Sequence, residues 1–150
     1  MSDLDTLHDL ADRLARRDHN FNVKKGPSKG DRATRRYMKK LNRAAKQRLG
    51  RRVRIEEKVM QGTGLNFDYF LPRERTAVEV ALGIENPISE WEKDLFKALL
   101  AKRHGKPIRK LALLARAKGL KVRSSPSAMA ERRLMKTFGI EVVILQLRGR

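Results

Sequence analysis

Leu65-Asn66-Phe67-Asp68-Tyr69-Phe70-Leu71-Pro72-Arg73-Glu74-Arg75-Thr76-Ala77-Val78-Glu79-Val80-Ala81-Leu82 is the stretch that decides the fold. Leu65, Phe67, Tyr69 and Leu71 alternate with Asn66, Asp68 and Phe70, the two-residue period of a strand. Thr76 to Leu82 is rich in β-forming residues, and Pro72 to Arg75 between the two runs has turn chemistry. Directly upstream, Val53, Ile55 and Val59 alternate with charged residues and lead into the turn Gly62-Thr63-Gly64. Three short strands joined in this way most simply form an antiparallel meander.

Downstream, Asn86-Pro87-Ile88-Ser89 offers a cap and an N1 proline for a helix. Trp91, Leu95 and Leu99 follow at helical spacing until His104-Gly105-Lys106-Pro107 stops it. The continuous apolar run from Arg109 to Ala115 suits a strand buried on both faces, reached by a right-handed crossover. Ser125-Pro126-Ser127 introduces a helix over 128–137, Gly139 ends it, and Ile140 to Leu147 reads as a last strand. Upstream, Leu4, Leu7, Ala11 and Leu14 behind Ser2 predict a short amphipathic helix that docks on the domain or on a second copy. Asp31 is placed to cap a helix over 32–49, with Ala33, Tyr37, Leu41, Ala44 and Ala45 as its apolar stripe and Gly50 as its stop.

The element order α, α, β, β, β, α, β, α, β predicts an α/β fold: a mixed central sheet of about five strands flanked by helices. Residues 1–30 are expected to form an N-terminal helix and a flexible basic connector around Gly26-Pro27-Ser28-Lys29-Gly30, and 31–150 the main domain. One domain is what 150 residues can fill.

Lys and Arg number 36 against 17 Asp and Glu, a net charge of +19 that concentrates polyanions and makes nucleic acid the expected partner. The charge is uneven. Residues 1–20 carry five Asp against three Arg, whereas 24–54 carry fourteen Lys or Arg against Asp31 alone. Within the second helix, Arg32, Arg35, Arg36, Lys39, Lys40, Arg43, Lys46 and Arg48 form a one-signed ridge, extended by Arg51 and Arg52. A merely solvated face usually mixes signs to gain i,i+4 pairs, so this ridge reads as a phosphate-contacting surface. Lys118, Lys121, Arg123, Arg132 and Arg133 could form a second such surface. No apolar run suits a bilayer span and the Met-Ser-Asp-Leu-Asp start lacks a signal pattern, so a cytoplasmic protein with no membrane partner is expected. Zero cysteines exclude disulfides, thiolate nucleophiles and Cys-type zinc sites, which leaves oxygen or histidine to hold any metal.

Asp68 and Glu79 each interrupt an apolar, β-forming run, where a charge must be paired, solvated or metal-bound. A hairpin turning near residues 73 and 74 sets them nearly opposite on one face. Two hard oxygen donors there suit magnesium or manganese; two acids on a sheet face answering the abundant Arg and Lys are the plainer alternative. Phe67-Asp68-Tyr69-Phe70, the eleven-residue step to Glu79-Val80-Ala81, and then a helix and a buried strand resemble the catalytic core of the PD-(D/E)XK phosphodiesterase superfamily. Ala77 to Ala81, followed by Glu90 to Phe96, is most similar to type II restriction endonucleases.

The resemblance implies a restriction endonuclease-like core and a Mg2+- or Mn2+-dependent endonuclease acting on duplex DNA, with Asp68 and Glu79 as metal ligands. It also implies a third group two positions after Glu79, usually Lys, where this chain has Ala81. Three substitutes are open: Lys93 or Lys97 on the next helix, with Lys93 the first choice; a carboxylate ligand from Glu56 or Glu57, the block of ligands then being Asp68, Glu79 and Glu57; or Lys58. Strand alternation places Glu56 and Lys58 on one face and Glu57 on the other. Symmetric cutting of both strands implies a homodimer, with the first helix as candidate interface. The alternatives are a catalytically degenerate nuclease-fold DNA-binding protein and a basic RNA-binding protein. His8, His19 and His104 show no zinc spacing, and Ser124, Ser125 and Ser127 no triad arrangement.

Overall fold

Alternation and turn chemistry produce the expected meander. In the computed structural model, which describes residues 1–18, 21, 29–82, 87–116 and 125–149, β1 (Arg54–Lys58), β2 (Asn66–Leu71) and β3 (Thr76–Ala81) pair antiparallel in sequence order. From β3 the chain crosses by α3 (Pro87–Arg103) to β4 (Lys110–Arg116), and then by α4 (Pro126–Thr137) to β5 (Glu141–Leu147). Both crossings make parallel pairs, giving a five-stranded mixed sheet in the order β1-β2-β3-β4-β5. With α1 (Asp3–Arg17) and α2 (Lys29–Leu49), four helices flank this α/β sheet. Among the described residues no helix is long and apolar enough to cross a membrane.

The sheet divides two apolar layers. On one side Leu4, Leu7, Ala11 and Ala15 of α1 and Tyr37, Leu41, Ala45 and Leu49 of α2 pack with Tyr69, Leu71, Val78, Ala112 and Leu114. On the other, Trp91, Leu95, Ala98 and Ala101 of α3 and Ala128 and Met135 of α4 pack with Phe70, Ala77, Leu111, Leu113 and Val142. The alternation of Leu111, Ala112, Leu113 and Leu114 between the two layers explains why β4 is an unbroken apolar run.

α1 docks on its own domain, sharing one core with residues 31–150. Its start is a capping box: Ser2 Oγ accepts the Asp5 N–H at 3.0 Å and the Asp5 carboxylate accepts the Ser2 N–H at 3.1 Å. The Glu74 carboxylate, from the β2–β3 turn, accepts the N–H groups of Asp3 and Leu4 at 2.6 and 3.1 Å. An anion there suits the helix dipole as well as the unsatisfied donors. Tyr37 Oη donates to Ala11 O at 2.7 Å, and Asp12 accepts the Arg148 N–H at 2.7 Å. The apolar face of α1 is thus covered within the chain.

α2 begins at Lys29, so Asp31 lies inside its first turn rather than at its cap. A short 3-10 turn, Gly50–Arg52, follows, with Gly50 at φ +54° as the stop signal requires. The connector expected before α2 lies outside the described residues apart from Phe21 and the start of the helix, as do Lys118, Lys121, Arg123 and Ser124. The outer edge of β5 is guarded from both layers: His8 Nε2 lies 2.8 Å from Gln146 O, and Arg132 donates to Val142 O at 3.0 Å.

Replacing Glu74 by Ala leaves two helix-terminal donors without their anion, and is expected to lower stability in urea unfolding by about 1–3 kcal/mol.

Candidate active site

The β2–β3 ladder runs from Leu71↔Thr76 to Tyr69↔Val78. One further step sets Asp68 across from Glu79, but there the ladder gives way: Asp68 Oδ2 accepts the Val80 N–H at 2.7 Å. A side-chain carboxylate has taken a donor that a strand neighbour would otherwise hold. The two acids therefore meet where the strands part, near the carboxyl end of β3. Glu79 is buried, and Asp68 is partly exposed.

β1 is irregular at the same level. Glu56 sits between the pairs Ile55↔Tyr69 and Glu57↔Phe67, opposite Asp68, and has φ +52°. A non-glycine residue in that region costs about 1–2 kcal/mol. The irregularity breaks the alternation: Ile55 and Tyr69 pack in the α1/α2 layer, whereas Phe67, two residues from Tyr69, packs in the α3/α4 layer. Glu57 is not part of the acidic pair. Its carboxylate is bound by Lys106 at 2.7 Å and by Arg54 at 3.4 Å, and Lys106 Nζ lies 5.2 Å from the Phe70 ring centre. Glu57, expected among the metal ligands, is thus placed against Lys106 and Arg54 rather than beside Asp68 and Glu79. Lys58 is exposed at the end of β1.

α3 supplies what β3 lacks. Ala81, the last residue of β3, has only a methyl group to offer. Lys97 is 6% exposed, and its ammonium is ion-paired with Glu79 Oε1. Asp94, one turn earlier and also buried, has Oδ1 3.9 Å from the same ammonium. The Phe67 ring centre is 5.6 Å away, so the cation is also held against an aromatic face. Lys93, the first choice from sequence, is exposed and lies one turn before Lys97 on the outward part of the helix. Ala98 and Ala101, buried on α3 beside Lys97, leave its stem room to lie between helix and sheet.

Burial, first, and then Asp68 and Asp94 push the Glu79 carboxyl up to about 9, with Lys97 opposing. By type, this donor set fits a hard divalent cation. Two carboxylates are what Mg2+ uses when waters and a substrate phosphate complete its shell. Among the described residues no group of three or more His, Cys, Asp or Glu gathers, so the protein's share of such a shell would be Asp68 and Glu79.

The basic ridge occupies the other layer. Arg32, Arg35, Arg36, Lys39, Lys40, Arg43, Lys46 and Arg48 are all exposed on α2, and Arg51 follows them. Among the described residues none of these is ion-paired. Arg52 is different: it binds Asp3 at 2.8 Å and Arg48 O at 3.3 Å, so its guanidinium is engaged in holding α1. The ridge and Glu79 thus lie on opposite sides of the sheet. The link between them is Tyr69, next to Asp68, whose hydroxyl donates to Asn42 Oδ1 at 2.6 Å. Asn42 stands on α2 between Lys39 and Lys46, so the ridge is fixed over the strand that carries Asp68. Comparison with protein-family models, curated proteins and solved structures finds no match for this chain.

A carboxyl raised from 4.5 to about 9 binds more protons folded than unfolded between those values. Its contribution to stability is complete below pH 4.5 and is lost as pH rises towards 9. Glu79→Gln in chelator-treated protein is therefore expected to raise the melting temperature at pH 8, with the gain shrinking towards pH 5. An equal or lower melting temperature at pH 8 would show that Lys97 fully compensates the buried charge.

Proposed function

We propose that this chain is a metal-dependent endonuclease that binds duplex DNA and hydrolyses its phosphodiester bonds, built on a restriction endonuclease-like core. One observation carries this reading: Lys97, from the helix after β3, reaches Glu79 at the place where Asp68 and Glu79 face each other. A strand acid, a second acid on the next strand and a buried lysine are thereby combined although Ala81 replaces the usual third group.

Asp68 and Glu79 would hold Mg2+ or Mn2+, which when bound polarises a phosphate oxygen and acidifies water. Asp68 is pre-positioned for this by the Val80 N–H, which fixes one of its oxygens. Lys97 has a double role. Without substrate it offsets the Glu79 charge; with a phosphodiester in place its ammonium can bind a phosphate oxygen and stabilise the charge that develops during attack. Asp94 and the Phe67 ring restrict where that ammonium can go. The α2 ridge would grip the phosphate backbone, which positions DNA without reading its bases.

A second reading, a nuclease fold that binds DNA without cutting it, is favoured by Ala81 at the place of the usual third group. Cleavage assays with Mg2+ or Mn2+ on duplex, branched and single-stranded DNA separate the two. Lys97→Ala, Asp68→Asn and Glu79→Gln are each expected to lower the cleavage rate by ~100-fold or more with DNA binding retained, and Lys93→Ala to leave it nearly unchanged. No cleavage by the wild type on any substrate would leave the binding reading standing.

The ridge has its own measurement. Replacing Lys39, Arg43 and Lys46 by Glu should weaken binding evenly across DNA sequences, and neutral replacements should reduce the slope of log affinity against log salt by about 0.9 for each lost phosphate contact. Competition by structured RNA equal to that of duplex DNA at fixed salt would instead indicate an RNA-binding role.

A further inference from the structure

Most large apolar side chains are buried, but Phe96, Leu134 and Phe138 are 59%, 55% and 53% exposed. They belong to two helical stripes. On α3, Glu92, Phe96, Leu99 and Arg103 follow at i, i+4, i+7 and i+11; on α4, Glu131, Leu134 and Phe138 follow at i, i+3 and i+7. The stripes face the same channel, because the two helices are held close at both ends. At one end Glu92 and Glu131 lie near enough for their carboxylates to repel. Lys102, beside Arg103, donates to Gly139 O, beside Phe138, at 3.2 Å. The helices therefore run side by side in the same direction, with acids at one end of the channel, an apolar middle, and Arg103 and Lys102 at the other end.

We infer that a second copy of this chain docks on the α3/α4 face, about a two-fold axis perpendicular to the helices. Such an axis reverses the helix direction, so the Glu92 and Glu131 end of one copy meets the Arg103 end of the other while the apolar middles coincide. The face is self-complementary in charge and in polarity. Among the described residues no ion pair joins Glu92 or Glu131 to a Lys or Arg. The two acids repel each other, and burial together with Glu92 holds the Glu131 carboxyl above its usual range.

Net charge points to the same place. Two copies each carrying +19 repel, so association needs a face where unpaired acids stand among apolar groups. Two other surfaces are already taken: the apolar face of α1 is covered, and the β5 edge is guarded by His8 and Arg132.

Sedimentation velocity on nucleic-acid-free protein tests this. The wild type is expected to sediment as a dimer, and Phe96→Asp combined with Leu134→Asp as a monomer with an unchanged circular dichroism spectrum, since both side chains are more than half exposed. Glu92→Arg should raise the dimer dissociation constant by ~10-fold or more, and adding Arg103→Glu should restore it. A wild type that stays monomeric over the accessible concentration range overturns the proposal, including the case in which this face binds a different protein. So does a dimer that survives Phe96→Asp with Leu134→Asp, and failure of the charge swap to restore association rules out the two-fold arrangement.

Discussion

A charge removed from water has to be answered by something in its own layer, and the centre of this protein is arranged around that requirement at Glu79. Its carboxylate lies between the sheet and α3, where an unpaired charge would cost several kcal/mol. Lys97 answers it, and the consequences spread outward. Lys97 must lie flat, so its neighbours on α3 towards the sheet are the small Ala98 and Ala101. Asp94 and the Phe67 ring bracket the ammonium. Phe67 can reach it because the β1–β2 pair loses its alternation at Glu56 and Asp68. An irregularity in two strands and the composition of one helix thus trace to one buried ion pair.

That dependence also explains which parts of the molecule could be read from sequence. The meander, the two crossovers and the five-stranded order follow from local signals, namely alternation of Leu65 to Leu71, the turn at Pro72 to Arg75, and the apolar run of β4. Such signals are periodic and survive any tertiary context. The opposition of Asp68 and Glu79 was legible for the same reason, since a hairpin turn fixes register by counting. The choice between Lys93 and Lys97 was not, because both are polar positions on one helix and only the angle at which α3 crosses the sheet decides which is buried. The placing of Glu57 was not legible for another reason: an alternation rule assumes regular strands, and Glu56 adopts a backbone conformation that no sequence pattern announces.

The α2 ridge shows a further limit of composition. Its one-signed charge was evident from the sequence, and its residues are exposed, but charge does not say on which side of a sheet a helix lies. The ridge and Glu79 are separated by the sheet itself. A polyanion touching both would have to pass round the sheet end where β2 and β3 part, over Tyr69 and Asn42.

The bonds that hold α1 have a consequence for the order in which the chain assembles. His8 and Asp12 find their partners at Gln146 and Arg148, nearly the full length of the sequence away. These two contacts close only when distant segments of the chain meet, whereas the apolar face of α1 also packs against α2 and against residues of β2, β3 and β4. Contacts between segments so distant in sequence make for slow closure.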